Sequence, residues 1–215
     1  TNGRNMVSYF LSKYVWGSGE QQRQRTALSA LCDEMGLNLV RARGLKPDYV
    51  IGVVNGWFVS VGYHQVFIGI GGAQNLTQFT AYYAQPIDFN FIINHGRSWR
   101  HPKRKRLAFQ TSGPEIENNY YMKTNDESTF RQFLGHASSR DLLRPKVPVK
   151  LLCGENRGMG HSELYYHVTN FIYDPKMLKS IIENLVDTLN HMRQIGLAKA
   201  ASATWLEQKM FEPIE

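Results

Sequence analysis

Cysteine is almost missing: Cys32 and Cys153 are the only two in 215 residues, far apart and in no Cys-x-x-Cys pair. The count excludes a disulfide framework, and the spacing excludes a cysteine-rich zinc site. Both thiols read as small buried hydrophobes, and such sparse use fits a reducing compartment. Also missing is any run of about 18 apolar residues, so no segment reads as a bilayer-spanning helix. Internal repeats and low-complexity tracts are absent too. With 42% hydrophobic and 20% charged residues, the composition excludes a disordered chain, a collagen-like repeat and a coiled coil.

The motifs of several reactions are missing as well. Gly69-Ile70-Gly71-Gly72 follows a strand pattern, but no Gly-Lys-Ser/Thr comes after it, so it reads as a glycine-rich strand end and not a phosphate loop. No Gly-x-Ser-x-Gly elbow and no His-Glu-x-x-His occur. His161, Glu163 and His167 share parity in a candidate strand and would face one way. The outer two would lie about 20 Å apart at roughly 3.3 Å per residue, too far for one ion. His161 is therefore expected in a loop and His167 as an ordinary sheet residue. No cofactor is implied, and no histidine or carboxylate sits in a catalytic motif.

What is present is a charge of one sign, unevenly placed. Lys and Arg number 25 against 18 Asp and Glu, a net of +7. Arg97, Arg100, Lys103, Arg104, Lys105 and Arg106 fall within one ten-residue stretch that has no acid. Set that stretch aside and the rest is within one charge of neutral. The pI of 9.4 thus reports a local cluster on a nearly neutral body. Six crowded cations repel one another and resist burial, so the stretch reads as an exposed loop whose repulsion an anionic partner would relieve. Arginine would supply forked hydrogen bonds to phosphate, and Trp99 could stack on a base or sit at a lipid interface. Lipid head groups, nucleic acid and an acidic protein are the candidate anions; a solvated loop with no partner is the bland alternative.

Apolar spacing supplies the elements. Residues 4–15 carry Met6, Val7, Phe10, Leu11, Tyr14 and Val15 at helical intervals. A second helix holds Ala27, Leu28, Leu31 and Met35, with Ser18 and Gln21 as a capping box and Gly36 as the stop. Tyr49–Val54, Asn55-Gly56 and Trp57–Val61 read as a hairpin with a type I′ turn. The apolar phase shifts near Tyr63–Gln65, which predicts a bulge or a turn there. Phe79–Tyr83 and Asp88–Ile93 read as a strand pair or one interrupted strand. Glu117–Lys123 is a further strand, followed by a short helix through Phe130, Phe133 and Leu134 and another helical turn at Ser138–Leu143. Val147–Cys153 and Glu163–Tyr173 read as strands of a hairpin with a glycine-rich tip. Asp174 caps a long last helix, with Pro175 at its first position and Gly196 beyond its end. The order predicts an α+β fold: a mostly antiparallel sheet with helices on one face and a long C-terminal helix. Residues 1–196 read as one domain and 197–215 as an extension, in which Trp205, Leu206, Met210 and Phe211 suggest a docked or partner-seeking segment.

Between Thr26 and Met192 this layout resembles the soluble domains of some uncharacterised bacterial membrane-associated proteins. The resemblance rests on Asp33-Glu34-Met35-Gly36-Leu37, the Gly52…Asn55-Gly56 hairpin, Phe130…Phe133 leading to Ser139-Arg140-Asp141-Leu142-Leu143-Arg144-Pro145, and the Asp174-Pro175 helix. It implies a non-catalytic accessory domain near a membrane. The basic stretch departs from that pattern.

The expectation is a non-enzymatic accessory or assembly domain, cytoplasmic or membrane-peripheral, making protein or membrane-surface contacts. Protein partners or self-association would use the termini. A nucleic-acid binder using residues 97–106 is the first alternative, and an enzyme whose site assembles only in three dimensions is the second. The chain opens on Thr1, so any anchor upstream of it would not be visible in these residues.

Overall fold

A computed structural model of the chain describes residues 18–41, 47–67, 73–95, 120–144, 149–156 and 161–201. The elements run α1 (Ser18–Met35), β1 (Asn38–Val40), β2 (Tyr49–Val54), β3 (Trp57–Phe67), β4 (Ala73–Ala84), β5 (Phe91–His95), β6 (Tyr120–Thr124), α2 (Glu127–Gly135), α3 (Ala137–Asp141), β7 (Val149–Asn156), β8 (His161–Thr169), α4 (Pro175–Gln194) and β9 (Lys199–Ala200). The strands form one sheet in the order β1-β2-β3-β4-β8-β7-β5-β6, with β9 paired to the end of β4, and every ladder is antiparallel. The fold is α+β, with a long C-terminal helix, as the sequence predicts.

Local chemistry explains most of the boundaries. Asn55 and Gly56 both take positive φ, 50° and 82°, which a type I′ turn demands. Asp126 caps α2 by accepting from the Thr129 amide, and Asp174 caps α4 by accepting from the Lys176 amide with Pro175 in the first turn. Gly36 and Gly196 leave α1 and α4 at φ of 66° and 79°, the left-handed stop that the absence of a Cβ permits. The first predicted helix, over residues 4–15, lies outside the described residues. So does the 197–215 extension beyond Ala201.

Three expectations are corrected. No bulge occurs at Tyr63–Gln65: β3 and β4 stay in register from Phe58↔Tyr82 to Phe67↔Ala73. Their far part, His64–Phe67 with Ala73–Leu76, runs past the ends of the β2 and β8 ladders, and none of it belongs to the main core cluster that selects the inner face. The pattern shift marks that overhang. Second, the strands at 79–83 and 91–93 do not pair with each other; β4 lies between β3 and β8, and β5 between β6 and β7. Third, His161 is not in a loop but is the buried first residue of β8.

One face of the sheet carries the core. Trp57, Val59, Val61 and Tyr63 of β3 alternate inward with Phe79, Ala81 and Tyr83 of β4 and Leu164, Tyr166 and Val168 of β8. The same cluster holds Leu28 and Leu31 of α1, Phe130 and Phe133 of α2, and Leu178, Ile182, Leu185 and Leu189 of α4. The helices therefore pack on that face. Two of its aromatic polar groups are hydrogen-bonded: the Tyr63 hydroxyl donates to the Ile172 carbonyl at 2.6 Å, and the Trp57 indole donates to Asn190 at 2.9 Å. A small second apolar cluster on the other face, Ile51 and Phe58 with Val40, Tyr49, Tyr82 and Ala201, includes no helical residue.

Candidate functional site

Because successive strand residues point to opposite faces, the positions between the core residues form the outer face. Register alignment threads one outer row through all eight main strands: Val40, Tyr49, Gly62, Gln78, His167, Lys150, Asn94 and Tyr121. Seven inter-strand steps make it about 34 Å long. None of its polar side chains is fully buried. Among the described strand residues, the only carboxylate on this face is Glu163, four positions from His167 along β8.

The middle of the row is tied together by hydrogen bonds. Tyr165 donates its hydroxyl to Gln78 Oε1 at 3.1 Å, and Gln78 Nε2 donates to Thr80 at 3.3 Å. The Tyr165 oxygen also lies 3.3 Å from His167 Nδ1. With the tyrosine proton given to Gln78, that second contact is an Nδ1–H donating to Tyr165, which leaves Nε2 of His167 as the ring's lone-pair nitrogen. Burial, followed by the positive charge of Lys150 and then of His64, pushes the His167 pKa down to about 4. Gly62 leaves a gap in the row that the His64 ring occupies, with His64 Nε2 3.7 Å from where a Cβ would stand and Tyr49 Cβ at 3.2 Å on the other side. His64 itself is exposed.

At the other end of the same face, His161 Nε2 lies 3.2 Å from Glu163 Oε1, and its ring meets Tyr82 edge-on at 5.2 Å. His161 and His167 are both outer-facing residues of β8, as their parity implies. Among the described residues no group of three or more His, Cys, Asp or Glu side chains is placed to hold a metal ion. Cys153 sits on the core side, its sulfur 2.8 Å from the Tyr83 hydroxyl, and burial pushes its thiol up to about 12. At neutral pH it stays protonated and is no nucleophile. Cys32 is half-buried against the core. His95 ends β5, exposed, with its ring edge-on to Tyr120.

The basic stretch Arg97, Trp99, Arg100, Lys103, Arg104, Lys105 and Arg106, with His101, lies outside the described residues, as do Trp205, Leu206, Met210 and Phe211 and the glycines at 69–72. Its points of attachment are described. It departs from His95 and returns at Tyr120, paired residues at one end of the sheet. The connections 41–48, 68–72, 142–148 and 170–174 attach at that same end. Together these connections add Arg41, Arg43, Lys46, Arg144 and Lys146 to the six cations, against Asp48, Glu115, Glu117 and Asp174. Their sum equals the net charge of the whole chain, +7. The outer row lies at this end too.

Sequence reasoning found the charge but missed the row. Gln78, Lys150 and His167 come from three separated strands, and only the strand order makes them neighbours. The local signal available was alternation of polar residues in each strand. No protein-family model, curated protein or solved structure matches the chain. Among the described residues, no helix is long and apolar enough to cross a membrane.

Proposed function

We propose that the chain is a non-enzymatic accessory domain that docks, by one end of its sheet, on an anionic membrane surface. The observation that supports this reading is the attachment of the net-cationic connections to a single end of the sheet. Connections attached along one end of a wide sheet suit a planar surface better than a groove. Each Lys or Arg near anionic head groups is worth about 1 kcal/mol, and Trp99 is the kind of side chain that settles at the interface. The layout resemblance to membrane-associated domains points the same way. Trp205, Leu206, Met210 and Phe211 would then serve protein contacts or self-association.

Sedimentation with vesicles tests this. The chain is expected to pellet with vesicles containing phosphatidylserine and not with pure phosphatidylcholine. Changing Arg104, Lys105 and Arg106 to Ala removes three charges and should weaken adsorption about a hundredfold. Adsorption indifferent to both lipid charge and the triple substitution would end the reading.

One observation favours a second reading, a single-stranded nucleic-acid binder: the outer row combines the half-buried rings of Tyr49 and Tyr121 with Lys150 on the outer sheet face. Rings on such a face can stack bases while cations meet the backbone. That reading expects oligonucleotide affinity that falls steeply with salt, with a smaller salt slope in the triple variant. Equal binding by wild type and triple variant would remove it.

A further inference from the structure

We propose that the centre of the outer row is a proton-linked site for a tetrahedral oxyanion, a phosphate group, held by Lys150, His167 and His64. This goes beyond the membrane reading, because none of its residues belongs to the 97–106 stretch.

The first argument is placement. Lys150 and His167 are directly opposed on β7 and β8, and Gln78 of β4 is the next residue across. Gly62 follows on β3, and the missing side chain there lets the His64 ring fold back into the row. Along the row His167 is thus flanked by Lys150 on one side and by Gln78, with the His64 ring beyond it, on the other, all on the half-buried outer face. Once His167 is protonated, donors spread along the row on both sides of it match the several oxygens of a tetrahedral anion better than a planar carboxylate.

The second argument is charge. The groups facing His167 are Lys150 on β7, His64 on β3 and Tyr165 beside it on β8; β4 contributes only the neutral Gln78 and Thr80. The sole carboxylate among the described strand residues of this face, Glu163, is about 13 Å away along the strand. Lys150 is therefore not balanced by a local acid on the described strands; burial first, and then its positive charge, disfavours a second charge on His167, and burial lowers the His64 pKa as well. A bound oxyanion supplies the missing negative charge.

The third argument is the tautomer. The Tyr165–Gln78–Thr80 chain fixes the His167 ring with Nδ1–H inward and Nε2 bare. Proton uptake at Nε2 converts an acceptor into a donor that faces the ligand. Binding and protonation then favour each other, by linkage.

The experiment follows the histidine imidazole resonances by NMR during titration with inorganic sulfate, which does not change charge between pH 5 and 7.5. Sulfate should raise the His167 midpoint from about 4 by about two units, and so bind about tenfold tighter at pH 5 than at pH 7.5. Lys150→Met should abolish the shift. His167→Gln should keep weak binding but lose its pH dependence, and both variants are on the open face, so far-UV circular dichroism should be unchanged. A His167 midpoint that sulfate moves by less than about 0.2 units overturns the proposal. So does a sulfate response that survives in Lys150→Met.

Two further arms separate this site from the membrane reading. The Arg104, Lys105, Arg106 triple variant should keep the sulfate response in full; losing it would assign the anion to the basic stretch and overturn the site. Adsorption of Lys150→Met to phosphatidic acid vesicles then identifies the source of the phosphate. Loss of both adsorption and the sulfate shift supports the site with a lipid head group as ligand. Loss of the sulfate shift alone supports it with a soluble phosphate compound.

Discussion

Two neighbouring rows of the sheet, one residue apart along every strand, have opposite chemistry. Leu39, Val50, Val61, Phe79, Tyr166, Leu151, Ile93 and Met122 make the inner row, and all but Leu39 are buried. Val40, Tyr49, Gly62, Gln78, His167, Lys150, Asn94 and Tyr121 make the outer one. The inner row meets the helices and carries the fold. The outer row carries little of the packing, so its residue types answer to something other than stability. The sharpest test uses adjacent residues. Leu151→Ala should cost about 2–5 kcal/mol in urea unfolding, because it removes a fully buried side chain from the core. Lys150→Ala should fall within about 0.5 kcal/mol of wild type. Similar costs at both positions would break the division between the rows.

How much of this division the sequence discloses depends on range. Alternation within one strand is a local signal, so the Tyr49–Val54 and Trp57 hairpin, with its Asn55-Gly56 turn, is legible residue by residue. The Asp174-Pro175 helix is legible for the same reason: cap, first turn and apolar stripe lie within one segment. Strand order is not local. Nothing near Phe79 says that its partner is Tyr166, 87 residues on, and nothing near Asp88–Ile93 says that β5 belongs beside β7. The candidate site inherits that limit, because Gln78, His167 and Lys150 become one cluster only through register. Charge behaved the other way. The 97–106 cluster stands out in the sequence, while the agreement of the other cationic connections in leaving from one end needed the topology.

Thr77 sharpens the comparison, because it is a polar residue on the inner face. It is fully buried; its hydroxyl donates to the Asn170 carbonyl at 2.9 Å and accepts from the Ile172 amide at 2.8 Å. Inner polar groups are thus spent on the fold itself, here to turn the chain from β8 toward α4. Thr77→Val keeps the shape and leaves both backbone groups unpaired, so it should cost about 1–3 kcal/mol. The outer Thr80, which receives its bond from the side chain of Gln78, should tolerate Val with a loss below about 1 kcal/mol. Equal losses in chemical denaturation would mean that the two faces treat a buried hydroxyl alike.

The smallest expected effect is one of pH, and it separates the faces by histidine. Burial lowers the pKa of His167 on the outer face, and burial together with the stacked His191 lowers that of His136 in the helical layer, where the two rings lie 4.3 Å apart. An unfolded histidine titrates near 6.5. Between that value and about 4, the unfolded chain binds a proton at position 167 that the folded chain refuses, so stability rises with pH across this window and is lost as pH falls. His136 contributes with the same sign. His167→Gln and His136→Gln should each reduce the loss of urea midpoint between pH 7 and pH 4.5, and the double variant should reduce it further. Sulfate tells them apart. An anion beside Lys150 makes protonated His167 acceptable in the folded state, so it should recover the acid-side stability of the wild type and of His136→Gln but add little to His167→Gln. Equal recovery in all three chains would mean that sulfate acts through general screening and that the outer face holds no privileged position for it.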